Sequence, residues 1–190
     1  MPISDNQIIE QIRKGGKHHF ARLVDRYKDR AFTLAVRMLK DRQDAEEALQ
    51  DAFMRAYKAL DKFEGTAKFG TWFYRIVYNV CLTRLGKRND ASESLEYDDE
   101  QGYDTIDMTS ASLLETEIET KDMIRKVKQI VATLPEKYAS ILSLFYFQEL
   151  THEEICEVTQ LPLGTVKVHL FRARALLQKR LTTEFSLETV

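Results

Sequence analysis

Glycine, proline and cysteine are all scarce in this chain, at 7, 3 and 2 of 190 residues. With so few glycines a glycine-cradled phosphate site would need them clustered, and neither a GxGxxG nor a Walker-type run occurs. Few helix breakers in a chain that is 44% hydrophobic and 31% charged favour helices. Cys81 and Cys156 each stand alone in an apolar helical stretch, which excludes a disulfide framework or a CxxC metal motif and fits a reducing cytosol. No run approaches about 18 uninterrupted apolar residues. The opening MPISDNQIIEQ has no basic region followed by an apolar one, so neither a membrane span nor a signal peptide is expected. His18, His19, His152 and His169 lack the Cys or carboxylate partners of a zinc site, and no HExxH or nucleophile elbow occurs. No catalytic residue, metal or cofactor is expected.

What is present is charge, unevenly placed. Residues 1–88 carry 18 basic and 11 acidic side chains, residues 89–120 carry 11 acidic and no basic ones, and residues 121–190 carry 10 basic and 8 acidic. The middle segment lacks helical periodicity before about Leu113 and repels itself, so it reads as an extended acidic linker whose end merges into the next helix. A solubilising tether and a specific electrostatic role both fit that composition. The expected organisation is all-α: two small helical units, 1–88 and 121–182, joined by the flexible linker 89–120.

In the first unit Asp5 is the expected cap of a short helix carrying Ile8, Ile9 and Ile12, ended by Gly15 and Gly16. Residues 17–39 space Phe20, Leu23, Val24, Tyr27, Ala31, Leu34, Ala35 and Met38 by threes and fours, an amphipathic helix. Asp41 caps a third helix to about Leu60 that turns Ala45, Ala48, Leu49, Ala52, Phe53, Ala56 and Tyr57 inward. After the break FEGTAKFGT, Thr71 or Gly70 is the expected cap of a fourth helix. Its broad apolar face leaves one narrow stripe, Trp72, Arg75, Asn79 and Thr83, with Arg84, Lys87 and Arg88 following. Cations interleaved with aromatics beside a loop suit single-stranded nucleic acid, because Lys and Arg meet phosphates while unstacked bases find rings. Core packing explains the same aromatics.

In the second unit residues 121–133 form a helix with Ile124, Val127, Ile130 and Val131 inward. Pro135 opens another, carrying Tyr138, Ile141, Leu142, Leu144, Phe145 and Tyr146. Thr151 and Glu154 make a capping box for a helix that buries Ile155 and Val158. QLPLG then leads to a helix starting at Thr165, with Val166, Leu170, Ala173 and Leu177 on one face and Lys167, Val168, Phe171 and Arg172 opposite. A short helix, a tight turn and a longer helix exposing basic residues is a helix-turn-helix, whose second member fits the roughly 12 Å major groove.

These segments together resemble the bacterial RNA polymerase sigma factors, in particular the small extracytoplasmic function (ECF) group. The resemblance rests on AEEALQDAFMRAYKALDKF, KFGTWFYRIVYNVCLTRL, the acidic linker, LPEKYASILSLFYFQELTHEEICEV and LPLGTVKVHLFRARALLQKRL, in that order. It implies that Gln50, Asp51, Phe53 and Arg55 belong to the region 2 surface that docks on the clamp helices of the polymerase beta-prime subunit. It implies that the loop from Phe63 to Gly70 captures a flipped base of the minus-10 element, with Lys68, Trp72, Arg75, Asn79, Arg84, Lys87 and Arg88 holding the melted strand. The linker would thread through the polymerase, and residues 121–182 would form region 4, which binds the beta flap. The minus-35 set it implies is Thr165, Lys167, Val168, His169, Phe171, Arg172 and Arg174. Many relatives carry small or basic side chains at positions 168, 169 and 171, so the preferred minus-35 sequence stays open. An anti-sigma factor and a cytoplasmic location are further implications. On the residues alone a stand-alone helix-turn-helix regulator on duplex operator DNA, or a helical protein-binding adaptor, also fits.

Overall fold

The computed structural model describes residues 3–91, 127 and 129–188. Those residues form helices and connecting turns, with no strand among them. Helix α1 (Asp5–Arg13) is capped by Ser4, one residue before the expected Asp5. The Ser4 hydroxyl accepts from the Gln7 backbone at 3.3 Å, and the Gln7 side chain accepts in return from the Ser4 backbone at 2.9 Å. Asp5 is occupied elsewhere: its carboxylate accepts from the Tyr27 hydroxyl at 2.5 Å and pairs with Arg26. Gly15, at φ 98°, supplies the left-handed turn that ends α1. A single 3-10 turn over Lys17–His19 then delays α2 (Phe20–Leu39) three residues past the expected start. Helix α3 (Arg42–Ala59) takes its cap from Asp41 as the sequence indicates, with 2.8 Å to the Asp44 backbone.

Helix α4 (Phe69–Ala91) starts earlier than expected, so Gly70 and Thr71 lie inside it and cap nothing. Each has a different task. A Cβ on Gly70 would stand 3.1 Å from the Tyr27 ring, so glycine permits this close approach. The Thr71 side chain faces the second unit. Helices α2, α3 and α4 pack around Leu23, Leu34, Phe69, Phe73 and Val77, with α1 laid across them through Ile8, Ile9 and Ile12. The row Ala45, Ala48, Ala52 and Ala56 is fully buried and lets α3 sit close to its neighbours. Phe53 stacks on Phe73 at 4.6 Å and Tyr27 meets Phe69 edge-on at 5.3 Å. Arg13 donates to the Leu60 carbonyl at 3.0 Å and to that of Phe63, which ties the end of α3 and the following loop to α1.

The second unit begins with a helical segment over 129–133 that buries Ile130 and Val131; Val127 is half-buried, and Ile124 lies outside the described residues. Helix α5 (Glu136–Leu142) follows Pro135. It runs into a π-helical turn, Ser143–Phe147, in which the Gln148 N–H donates to the Ser143 carbonyl at 3.1 Å. That wider turn shifts the register of everything after it. Of the apolar residues this stretch carries, Tyr146 is 52% exposed and Phe145 is only half-buried. Helix α6 (His152–Thr159) carries the expected capping box, Glu154 N–H to Thr151 Oγ1 at 3.2 Å and Thr151 N–H to Glu154 Oε2 at 2.9 Å. Gln160 turns the chain at φ 60°, and α7 (Leu163–Glu188) starts two residues before the expected Thr165.

The two units meet. Leu144, Leu150, Ile155, Val158 and Val166 join the same apolar cluster as the core of α1 to α4, with α6 packed along α4 and α5 against α2. A smaller cluster of Val131, Leu134, Tyr138, Ile141, Leu142, Leu170 and Ala173 holds α5 to α7. Arg37 of α2, 5% exposed, donates to Ser143 Oγ at 2.8 Å and lies 3.7 Å over the Phe147 ring. Burial lowers its pKa to about 10, so it stays charged near neutral pH. Most of the acidic linker lies outside the described residues.

Candidate nucleic-acid interface

Arg75 and Asn79 stand exposed one turn apart on α4. Beside them Trp72 is half-buried, its ring 5.1 Å from Phe63 and 5.6 Å from Phe69, so one edge packs under the loop and the rest faces the stripe. The stripe continues through exposed Thr83 and Lys87. Glu64, Gly65, Thr66 and Lys68 are exposed in the loop above it, anchored from below by the buried Phe63 and Phe69. The structure therefore sets Trp72, Arg75, Asn79 and Lys87 along one line of α4, with exposed Lys68 in the loop that precedes it. Arg84 and Arg88 point elsewhere, toward α3. Arg84 pairs with Glu47 at 3.1 Å; Arg88 pairs with Asp44 and donates to the Leu39 carbonyl at 2.9 Å. Each lies one residue past a stripe position, Thr83 or Lys87, and the 100° that one residue turns carries it round the helix toward α3.

The loop also touches α6. Lys68 Nζ lies 3.0 Å from Glu154 Oε1, and the Thr71 hydroxyl lies 3.3 Å from the same oxygen. Burial would raise the Glu154 pKa, but the hydrogen bonds from Thr151 and Lys68 outweigh it and hold the carboxyl below its ordinary value.

On α7, Lys167, Val168, Phe171 and Arg172 form the exposed face that the helix wheel indicates, with Val168 and Phe171 each close to half exposed. Thr165 sits half-buried near the start of the helix. His169 turns inward, edge-on to Tyr138 at 5.8 Å, with its Nδ1 buried and without a hydrogen-bond partner. Burial first, then Lys137 and Arg172, lower its pKa. Arg174 lies to one side, where Nε donates to the Tyr146 hydroxyl at 2.8 Å and the guanidinium stands 5.2 Å from the Phe145 ring. Tyr146 thus becomes a surface neighbour of this face. No sequence period points to it, because the π turn sets its direction.

Two further surfaces flank these. On α3, Gln50 is exposed, Asp51 holds Arg55 at 2.9 Å, and Phe53 faces the aromatic core. Met54 and Tyr57 are exposed on the same helix, although Tyr57 reads as inward from its spacing; its ring rests edge-on against Phe20 at 5.0 Å. Met54 was legible as the residue one turn after Gln50. Between the 129–133 segment and α7 runs a groove of about 570 Å³ lined by Ile130, Thr133, Leu176 and Arg180. Among the described residues no three His, Cys, Asp or Glu side chains come together to hold a metal. Burial pushes the Cys81 thiol up to about 12, so it stays protonated. No helix of the described residues is long and apolar enough to cross a membrane.

The family model for Sigma-70 region 2 matches residues 23–90, and that for Sigma-70, region 4 matches residues 124–177. The chain is 36% identical over 176 residues to the ECF RNA polymerase sigma factor SigW of Bacillus subtilis, covering 91% of this chain and 94% of the relative. It is 34% identical over 185 residues to the RNA polymerase sigma-H factor of Pseudomonas aeruginosa, covering 93% of each. Its fold is similar to that of the sigma factor RpoE from Bartonella quintana, solved with the anti-sigma factor NepR, at a TM-score of 0.64, 19% identity and coverage of 86% and 96%.

Proposed function

The chain belongs to the ECF RNA polymerase sigma factors, and from that premise we propose how its surfaces divide the work of starting transcription. As a sigma factor it binds core RNA polymerase, brings it to promoter DNA and promotes strand opening. Residues 1–88 act as the region 2 unit and residues 121–182 as the region 4 unit. RNA synthesis stays with the polymerase; this subunit contributes binding alone and works in the cytoplasm.

The observation that carries the reading is the exposed pair Arg75 and Asn79 beside the edge of Trp72 and under the Glu64–Lys68 loop. An amide can read a base edge, a guanidinium can hold a phosphate or stack, and an indole offers a face, all three hidden needs of a strand taken out of its duplex. Unstacking a base costs a few kcal/mol. Capture of the base on this stripe offsets that cost and keeps the minus-10 region open. The α7 face serves duplex DNA instead: Lys167 and Arg172 meet phosphates or guanine edges, and Val168 or Phe171 meets a thymine methyl. Arg84 and Arg88, paired with α3, hold α4 in place for the strand.

The α3 surface of Gln50, Asp51, Met54 and Arg55 takes the beta-prime clamp helices, with its exposed methionine supplying apolar contact. The groove at Ile130 and Leu176 takes the beta flap. An anti-sigma factor, the kind of partner with which the Bartonella relative was solved, would cover one or both of these faces. The test is reconstitution: the purified chain, core polymerase and a promoter template partly melted at minus-10. Initiation that depends on both promoter elements supports the assignment. Tight binding to a duplex operator by the chain alone, with no initiation, rejects it.

A further inference from the structure

The loop that the preceding assignment gives to the melted strand is already in contact with an acid. Glu154 of α6 sends Oε1 to Lys68 at 3.0 Å and lies 3.3 Å from the Thr71 hydroxyl, with its side chain only 15% exposed. A lysine ammonium and a threonine hydroxyl converging on one anionic oxygen is the donor set a backbone phosphate asks for. Glu153 and Glu157 are exposed on the same helix. The Lys68 ammonium and the Thr71 hydroxyl belong to the first unit, the carboxylate to the second.

The rest of the joint between the units is apolar at its centre and poorly satisfied at its polar edge. Ile155 and Val158 are fully buried against the first unit. Arg37 is buried there against the Ser143 hydroxyl and the Phe147 ring face, and Gln148 donates to the Arg30 carbonyl at 2.9 Å while its own Oε1 is buried without a partner among the described residues. The pairs Arg30 with Glu149 and Lys40 with Glu136 are wide, at 3.8 and 3.9 Å. A desolvated cation and an orphaned carbonyl oxygen both regain water when the units part. Such a contact holds a closed form without locking it.

We propose that this arrangement is a closed state in which Glu154 occupies, as an internal anion, the Lys68 and Thr71 position that a phosphate of the promoter strand takes, so that single-stranded DNA must displace the helix-turn-helix from the loop. The inference rests on the assignment of the loop and stripe to the strand. In the closed state the apparent affinity for the strand is reduced in proportion to the fraction of molecules that are open.

The test uses the full chain and a fluorescent single-stranded DNA oligonucleotide of mixed sequence, with affinity read by anisotropy. Glu154→Gln removes the charge but keeps the capping box, which accepts Gln as well as Glu, so α6 stays formed and circular dichroism is unchanged. Its affinity should rise about threefold to fivefold, the range expected for losing a partly exposed ion pair. Ser143→Ala opens the joint at its other end by stripping Arg37 of its hydroxyl, and it should raise affinity in the same direction. Glu157→Gln removes an equal charge one turn along that touches neither Lys68 nor Thr71, and it should leave affinity unchanged. An equal rise in the Glu157 and Glu154 variants would mean general repulsion of DNA by α6 and would overturn the latch, as would no rise in either the Glu154 or the Ser143 variant. Arg75→Ala reports on the stripe independently, because Arg75 takes no part in the joint. A loss there without a gain at Glu154 overturns the latch alone, whereas no loss there overturns the strand assignment and the latch with it.

Discussion

The two faces proposed to meet nucleic acid are built on opposite plans. On α7 the exposed cations Lys167 and Arg172 form no ion pair among the described residues, and they alternate with the exposed apolar Val168 and Phe171. On α4 and its loop Lys68 is paired with Glu154, Arg84 with Glu47 and Arg88 with Asp44, and the aromatic is tucked against two phenylalanines. A duplex presents its groove ready-made, so a rigid open face can meet it directly. A melted strand presents sticky, apolar bases, and a surface made for it would hold any stray strand unless its cations were engaged at rest. The difference teaches that readiness belongs to the duplex reader and restraint to the strand reader.

The largest test of that contrast removes the open part of the strand stripe. Arg75→Ala with Asn79→Ala, both exposed and therefore harmless to packing, should slow promoter opening by about a hundredfold or more, given the roughly 1–3 kcal/mol that each of the two contacts is worth. Assembly with core polymerase should be unchanged, and a template already melted at minus-10 should restore part of the rate. Normal opening on the paired template would make the stripe structural. Trp72 is the wrong residue for this test, because its ring fills space between Phe63 and Phe69.

A smaller effect is expected on the duplex side. Arg172→Ala should lose about 1–3 kcal/mol of discrimination between an intact and a scrambled minus-35 element. Transcription from the two promoters gives the answer: equal losses on both would move Arg172 to a phosphate, and no loss would remove it from the interface.

The smallest effect concerns His169, where α7 packs on Tyr138 of α5. His169 has a folded-state pKa below its ordinary 6.5, from burial and then Lys137 and Arg172. A base whose pKa is depressed on folding contributes fully above its unfolded value and loses that contribution as pH falls through the folded one. Thermal unfolding midpoints should therefore fall as the pH is taken below about 6.5, and His169→Gln should flatten part of that slope. A slope unchanged in the variant would place the proton elsewhere.

Much of this was legible along the chain. Asp41 and the Thr151–Glu154 box start their helices as the residue types indicate, and the exposed α7 face is the one its period assigns. Three things were not legible. The π turn at Ser143–Phe147 follows from hydrogen bonds that no composition marks, and Tyr146, which lies within it, stands exposed. Arg84 and Arg88 look like DNA contacts because they are basic and close in sequence to the stripe, but their partners Glu47 and Asp44 lie some 40 residues away on α3. The burial of Arg37 and the meeting of the two units depend on docking of separate amphipathic faces, each of which reads the same whether its apolar side is covered by its own unit or by another.

Glu154 answers to two neighbours, and together they give the contact a fixed polarity. Its Oε2 closes the start of α6 through the Thr151 backbone, while Oε1 reaches the loop of the other unit. A lysine at 154 could still face a glutamate at 68, but it would leave the Thr151 amide without an acceptor and set a positive charge against the positive end of the helix. Exchanging the two charges across the joint is therefore not a neutral swap. The acid belongs on the helix-turn-helix and the base on the loop, and the chemistry of a helix start dictates which unit plays the part of DNA.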